Sequence, residues 1–549
     1  MTYRRTLTLL VCLMLLAFAL RALSLDAQSM WRDEVDTLCF ALDAWGMLER
    51  AVEGGEETGL NSTNASALSS SSQPHCQPTP GLSRVDPSEG LWSTLRGLLT
   101  LPGWNGPLYT VAMRPWVGLT GNSPFALRYS ALIFGLLAVP LTYVLGRRTM
   151  GTGVGLVGAT LVAVSPHLVW YSQEAKMYGI ILALGLLAIY GTRRALDQTS
   201  GGSLRWWGVM VGATTLALYC HILTALLIPL QVVLGLIWWR RTRRHWRGAL
   251  IALACLTLPY LPLLMWQVRN WLLPVGQATL FSSGRLDVML EATFNGWGGH
   301  FVGEPWATLV LAGLAVLALF GLAGLWLMDE HTEVKAAVDG EGNALPYDWR
   351  EPLALLAWMS VPLLGIWLIS VRQPIFANRY LIWAAPAFYL LVAAGLAIAV
   401  RLGRGGALAA GGLFLLIFVG DGRALLYQAR QPIKPDFRAA AAYLEERYHP
   451  SDLIVFHLSY MEGNFAFYYG GEYEGWGAPA PGNGMPESDV DFYMRTNTSG
   501  HGTVWLVLSE PEMWDPRGLV KAWLDAHALA PPEEQVFAHV SVYGYQLDG

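Results

Sequence analysis

Charged side chains are scarce: they make up 14% of the 549 residues, against 53% that are hydrophobic. That balance excludes an ordinary soluble protein and leaves a polytopic membrane protein as the first expectation. Net charge is small as well, formally −5. The basic residues come as short clusters between apolar runs, so nothing suggests a nucleic-acid-binding surface. Cysteine is also sparse, and Cys12, Cys39, Cys76, Cys220 and Cys255 lack the spacing of a metal site. Three of them lie in apolar runs, where a buried thiol is the ordinary outcome. Cys39 and Cys76 are candidates for a bond outside the cell, with the connectivity left open.

Apolar runs, by contrast, abound. A bilayer core takes roughly 20 apolar residues per helix, and about eleven such windows recur. They fall near 6–25, 124–146, 152–170, 177–192, 206–222, 223–239, 248–268, 307–327, 352–370, 380–400 and 406–424. The first has the Arg4-Arg5 flank of a signal peptide but no convincing cleavage site, so it reads as an uncleaved anchor with its N-terminus in the cytoplasm. Arg147-Arg148, Arg193-Arg194, the run from Arg240 to Arg247, and Arg401 with Arg404 then all fall on the cytoplasmic side. An odd number of spans sends the C-terminus outside. "NGPLYTVAMRPWVGL" is short and carries Arg114, so it is expected along the interface.

This arrangement makes residues 1–424 a transmembrane domain with a large external loop over 26–123. The middle of that loop, about 50–90, has the Ser, Thr, Gly and Pro bias of a disordered insert. The sequons at Asn61 and Asn64 within it are weak three-residue matches. Residues 329–349 form a polar cytoplasmic loop. After residue 425 the texture changes to a small extracytoplasmic α/β domain, 425–549. "DFRAAAAYLEERY" reads as a helix and "DLIVFHL" and "TVWLVLS" as strands. "RGLVKAWLDAHAL" reads as a second helix and "QVFAHVSVYGYQL" as one closing strand.

Two carboxylates, Asp33 and Glu34, sit just beyond the first span in "WRDEVDTLCF". Trp31, Val35, Leu38, Leu42 and Trp45 recur at helical spacing, an apolar stripe suited to a bilayer surface. The plain alternative is that the two acids favour a helix N-terminus and remain solvated. "SPHLVWYSQEAKMYGI" puts Glu174 and Lys176 in an external turn, and "VRQPIFANRYLIW" puts Arg379 at the external mouth of another span. External cations run against the positive-inside bias, though snorkelling to headgroups would also explain them. His221 lies near the external end of a span, where a histidine is more often a packed polar residue than a catalyst.

External carboxylates with external cations at a membrane boundary suit chemistry on a sugar carried by a polyprenyl phosphate. A base must take the acceptor's proton as an oxocarbenium-like centre develops, and carboxylates serve that role in glycosyl chemistry. The leaving phosphate gains charge that Arg or Lys stabilises.

"MWRDE", "NGPLY", "FALRYSALIFGLLAVPLTYVLGRR", "WYSQEAKMYGI", "NRYLIWAAPAFYLL" and "DFRAAAAYLEERYHPSDLIVF" together resemble the bacterial branch of the GT-C glycosyltransferases, the dolichyl-phosphate-mannose protein mannosyltransferase and aminoarabinose transferase superfamily. The resemblance runs from the start to about residue 470, outside the insert and the loop at 329–349. It implies an Asp-Glu pair in the first external loop with the acid as catalytic base, which maps onto Asp33 and Glu34. It also implies a polar site in the second external loop, which maps onto "SQEAKMY". The position before Pro-Leu-Tyr, often His or Lys in relatives, reads Asn105-Gly106 here. The sugar-binding repeat domain of the eukaryotic protein mannosyltransferases has no counterpart.

The expectation is thus a mainly α, GT-C type membrane enzyme that moves a sugar from a polyprenyl-phosphate donor to an extracytoplasmic acceptor with inversion. Asp33 acts as base and Glu34 orients the acceptor or the base. Arg379 and Lys176 hold the phosphate, and Glu174, Tyr178, Asn105, Tyr380 and His221 contact substrate. No cofactor is indicated, although some members of the superfamily bind a divalent ion that the carboxylates could ligate. A transporter or flippase of lipid-linked sugars is the competing class. It would carry inverted repeats and mid-membrane ionisable residues, whereas here the charges gather at one face.

Overall fold

The computed structural model describes residues 3–41, 106–197, 203–272, 284–299, 305–327, 350–372, 375–481 and 484–548. They fall into two compact units. Unit 1 comprises Met1–Leu25, Asn105–Tyr109 and Arg128–Arg430, and unit 2 comprises Asp26–Trp104, Thr110–Leu127 and Gln431–Gly549.

Unit 1 is helical, and the chain is a multi-pass membrane protein. Among the described residues eight helices are long and apolar enough to cross a bilayer, or nine if one bent pair counts as a single span. All eleven expected windows are helical, but three fail that test as single helices. Thr152–Val164 and Pro166–Ser172 are separated by a 59° bend. Pro166 lacks the N–H that would continue the ladder, and Ser165 caps the new helix by accepting from Leu168 N at 3.3 Å. Ser203–Cys220 is helical without passing the test, and Ile222–Ile237 is short and begins with a 3-10 turn over Ile222–Leu226. Pro107–Thr120, the expected interfacial segment, is a 14-residue helix, too short to span.

The bend exposes carbonyls that a membrane cannot hydrate. Arg21, fully buried, supplies the donors, reaching Ala163 O at 2.9 Å and Val162 O at 3.3 Å. Charged ends pair as well. Arg148 and Arg241 both bond Asp197, and Arg193 Nη2 lies 2.5 Å from Glu351 Oε1. Three of the basic clusters expected on one side of the membrane therefore meet at one end of unit 1.

The C-terminal part of unit 2 is built on a mixed five-stranded sheet. Its strands are β1 (Leu453–Phe456), β2 (Glu474–Gly477), β3 (Thr503–Ser509), β4 (Glu533–Phe537) and β5 (Val540–Gln546), in the order β2-β1-β3-β5-β4. β1 runs parallel to β2 and β3, while β5 is antiparallel to β3 and β4. The period of two sorts each strand between two cores. Ile454, Phe456, Trp505 and Val507 pack with Phe437, Ala441 and Leu444 of helix Phe437–Glu445. Leu453, Val455, Val504 and Leu506 pack with Val490 and Met494, and with Val520 and Leu524 of helix Leu519–His527. The single closing strand expected from "QVFAHVSVYGYQL" is instead a hairpin. It turns at His539, which takes a left-handed φ of 55°.

Candidate functional site

In unit 1, a group of side chains collects where helix Tyr178–Asp197 begins and where the 3-10 turn Asn378–Ala384 leads into helix Ala385–Arg401. The first two residues of "SQEAKMY" are structural. Ser172 Oγ donates to Leu168 O at 2.5 Å and accepts from Arg21 Nε at 3.3 Å. Gln173 Nε2 donates to Arg21 O at 2.8 Å and to Ser24 Oγ at 2.9 Å. Those ties hold a non-helical link over 173–177 that carries Glu174, buried, and Lys176, half-buried.

Arg379 lies between two tyrosines, its guanidinium carbon 5.9 Å from the Tyr178 ring and 5.7 Å from the Tyr380 ring. Tyr171 hydrogen-bonds Arg379 and lies in the field of Glu174. Its hydroxyl also donates to Asn378 Oδ1 at 3.4 Å. His221 is fully buried, with its ring 4.7 Å from that of Tyr380 and within reach of the charges of both Arg379 and Lys176. Its Nδ1 accepts from Leu223 N at 3.2 Å, which places the proton of a neutral ring on Nε2. Glu174, Lys176, Tyr178, His221, Arg379 and Tyr380 are thus brought together. Helix Tyr178–Asp197 is about 30 Å long, so this group and the arginine-rich end are one bilayer apart.

Asn105 lies outside the described residues, but its neighbour explains the local sequence. Gly106 has a φ of 54°, and a Cβ there would come within 2.3 Å of Tyr219 O. Only glycine lets the chain pass so close to the segment ending in Cys220 and His221. Gly106→Ala is expected to destabilise unit 1 by about 1–3 kcal/mol. Thermal unfolding of purified protein reads this, and an unchanged midpoint would contradict the close approach.

In unit 2, residues 32–41 are helical. Glu34 is fully buried, forms an ion pair with Lys434 at 3.0 Å and accepts from Trp31 N at 3.3 Å. It therefore closes the first turn of its helix and ties that helix to the segment before Phe437–Glu445. Asp33 is half-buried, and its carbonyl accepts from Thr37 Oγ1 at 2.9 Å. Arg32 stacks 3.9 Å over the Tyr460 ring, and Tyr460 OH donates to Glu510 Oε2 at 3.5 Å. Burial pushes the Glu510 carboxyl above its ordinary range, Arg32 opposes the rise, and the charge of Asp33 adds to it. Val35 and Leu38 are buried, so at these two positions the expected bilayer-facing stripe faces protein. Leu42 and Trp45 lie outside the described residues. Cys39 is disulfide-bonded, and Cys76 lies outside the described residues.

Sequence reasoning missed Arg21, Lys434, Tyr460 and Glu510, none of which stands in a recognisable motif. Among the described residues no group of three or more His, Cys, Asp or Glu could hold a metal ion.

The sequence profile described as dolichyl-phosphate-mannose-protein mannosyltransferase matches residues 105–266, a segment containing Glu174, Lys176, Tyr178 and His221. The chain is similar to the crystal structure of ArnT from Cupriavidus metallidurans bound to undecaprenyl phosphate. Identity is 12% over 99% of this chain and 98% of that one, with a TM-score of 0.51. At that identity the likeness is one of fold. The fold is also similar to that of the oligosaccharyltransferase of Archaeoglobus fulgidus in its apo form, at 10% identity over 95% of this chain and 71% of that one, with a TM-score of 0.54. No curated protein sequence matches the chain. Asp33, Glu34 and Arg379 lie outside the segment matched by the GT-C family profile.

Proposed function

We propose that this chain is a membrane glycosyltransferase that moves a sugar from a polyprenyl-phosphate donor to an extracytoplasmic acceptor, with inversion at the anomeric centre. The observation that carries the reading is the gathering of Arg379 and Lys176 with His221, Tyr178 and Tyr380 at one end of unit 1, in a chain matched by a lipid-phosphate-sugar mannosyltransferase profile. A fork-shaped guanidinium suits a phosphate whose carrier stays in the bilayer. Asp33 takes the acceptor's proton, and Glu34 orients it by fixing the helix that both share. Residues 1–424 form the transferase domain and 425–549 an extracytoplasmic domain. ArnT bound to undecaprenyl phosphate lends support by fold alone.

Arg379→Lys keeps the charge and loses the fork, so transfer at saturating donor should fall by about tenfold or more. Transfer at the wild-type rate would reduce Arg379 to a headgroup anchor. The eleven-span topology is tested separately. A reporter fused after Gly549 should read extracytoplasmic and one within 240–247 cytoplasmic. A cytoplasmic reading at Gly549 would change the span count and remove Arg379 from the acceptor side.

A further inference from the structure

We infer that the arginine-rich end of unit 1 is a binding site for the phosphate of an anionic phospholipid headgroup. Arg193 is 5% exposed, stacks 3.7 Å over the buried Trp238 ring and gives Nη2 to Glu351. Its Nε and Nη1 hydrogens find no acceptor among the described residues, and neither does Nε of the adjacent Arg194, which stacks 4.8 Å over Trp206. A buried guanidinium with unsatisfied donors is costly, so an acceptor completes the site.

The local charge balance points to an anion. Arg148, Arg193 and Arg241 surround Asp197, and Glu351 is the second carboxylate. Arg194 adds a further positive charge. Several guanidiniums converging on one place suit a phosphate, whose oxygens accept two bonds from each fork.

The surroundings point to lipid as the source. The helix Trp239–Arg244 and the residues after it expose Trp239 and Trp246, at 57% and 53%, beside the exposed Arg240, Arg243, Arg244 and Arg247. Exposed tryptophan alternating with arginine lies at headgroup depth, where basic pockets between helices take anionic headgroups. The site stands about 30 Å along helix Tyr178–Asp197 from the proposed donor cluster and does not depend on it.

The test uses the purified full chain, stripped of lipid in detergent and incubated with phosphatidylglycerol or phosphatidylcholine, with retained lipid counted by native mass spectrometry. Phosphatidylglycerol should be retained about tenfold more than phosphatidylcholine. Arg194→Gln should lower that retention about tenfold. So should the paired change Arg193→Met with Glu351→Met, which removes both charges so that neither is left buried alone. Arg379→Lys should leave it unchanged. Equal retention of the two lipids, or wild-type retention by both arginine variants, would overturn the inference. Binding of inorganic phosphate without retention of phosphatidylglycerol would assign the corner to a soluble anion and overturn it too. Loss of retention in Arg379→Lys would move the lipid to the other cluster, with the same consequence.

Discussion

Asp33→Asn is expected to fold and insert as the wild type does, to bind donor lipid nearly as well, and to transfer sugar about 10²–10⁴-fold more slowly. The substitution keeps the side chain's shape and removes its ability to take a proton. Asp33 is half-buried on the first turn of its helix, its backbone carbonyl accepts from Thr37, and asparagine retains the volume and most of the hydrogen bonding of the carboxylate. Single-turnover transfer, with donor binding measured on the same preparation, separates chemistry from affinity. Transfer at the wild-type rate would make Asp33 a solvated helix-end charge and move the search for the base to Glu174. Loss of donor binding that added divalent metal restores would make the carboxylate a ligand.

Glu34→Gln is expected to act through stability. Its carboxylate is fully buried against Lys434 at 3.0 Å, and breaking a buried ion pair costs about 3–5 kcal/mol because one charge is left without its partner. The same loss is expected for Lys434→Met. The double change Glu34→Met with Lys434→Met should recover most of it, since apolar replacement of both partners is often neutral or better. Thermal unfolding of the three variants reads the cycle. Transfer by the double variant then assigns the role. A rate near wild type leaves Glu34 as the anchor of the helix that presents Asp33, whereas a rate at least 10²-fold lower at full stability would put Glu34 in the chemistry.

The difference between these neighbours was not legible in the sequence. "DE" gives no sign that one acid is buried and the other half-exposed, because the partner, Lys434, stands 400 residues away in an unremarkable "PIKPD". Short-range signals fared better. The apolar windows located every candidate span among the described residues, though not the short helix Leu286–Trp297, and the short apolar runs in "DLIVFHL" and "TVWLVLS" located strands with one face on each core. Length was harder to judge than type, since Ser165-Pro166 breaks one apolar run at 59° and a 3-10 turn shortens another. The cluster in unit 1 was foreseeable because the unusual placement of Lys176 and Arg379, basic residues opposite the arginine-rich clusters, is itself a sequence signal. Glu510 was not foreseeable, since its left-handed φ of 52° and its proximity to Asp33 arise only from the carboxyl end of β3 meeting the helix at 32–41.

The central claim, that a polyprenyl phosphate is the carrier of the donor sugar, is tested most directly by mass spectrometry of lipid co-purified with the wild-type chain from its own membranes. The expected result is a polyprenyl phosphate or its single-sugar adduct at a stoichiometry that Arg379→Lys lowers. Absence of any polyprenyl species, together with failure of added polyprenyl phosphate to bind the purified protein, would contradict it.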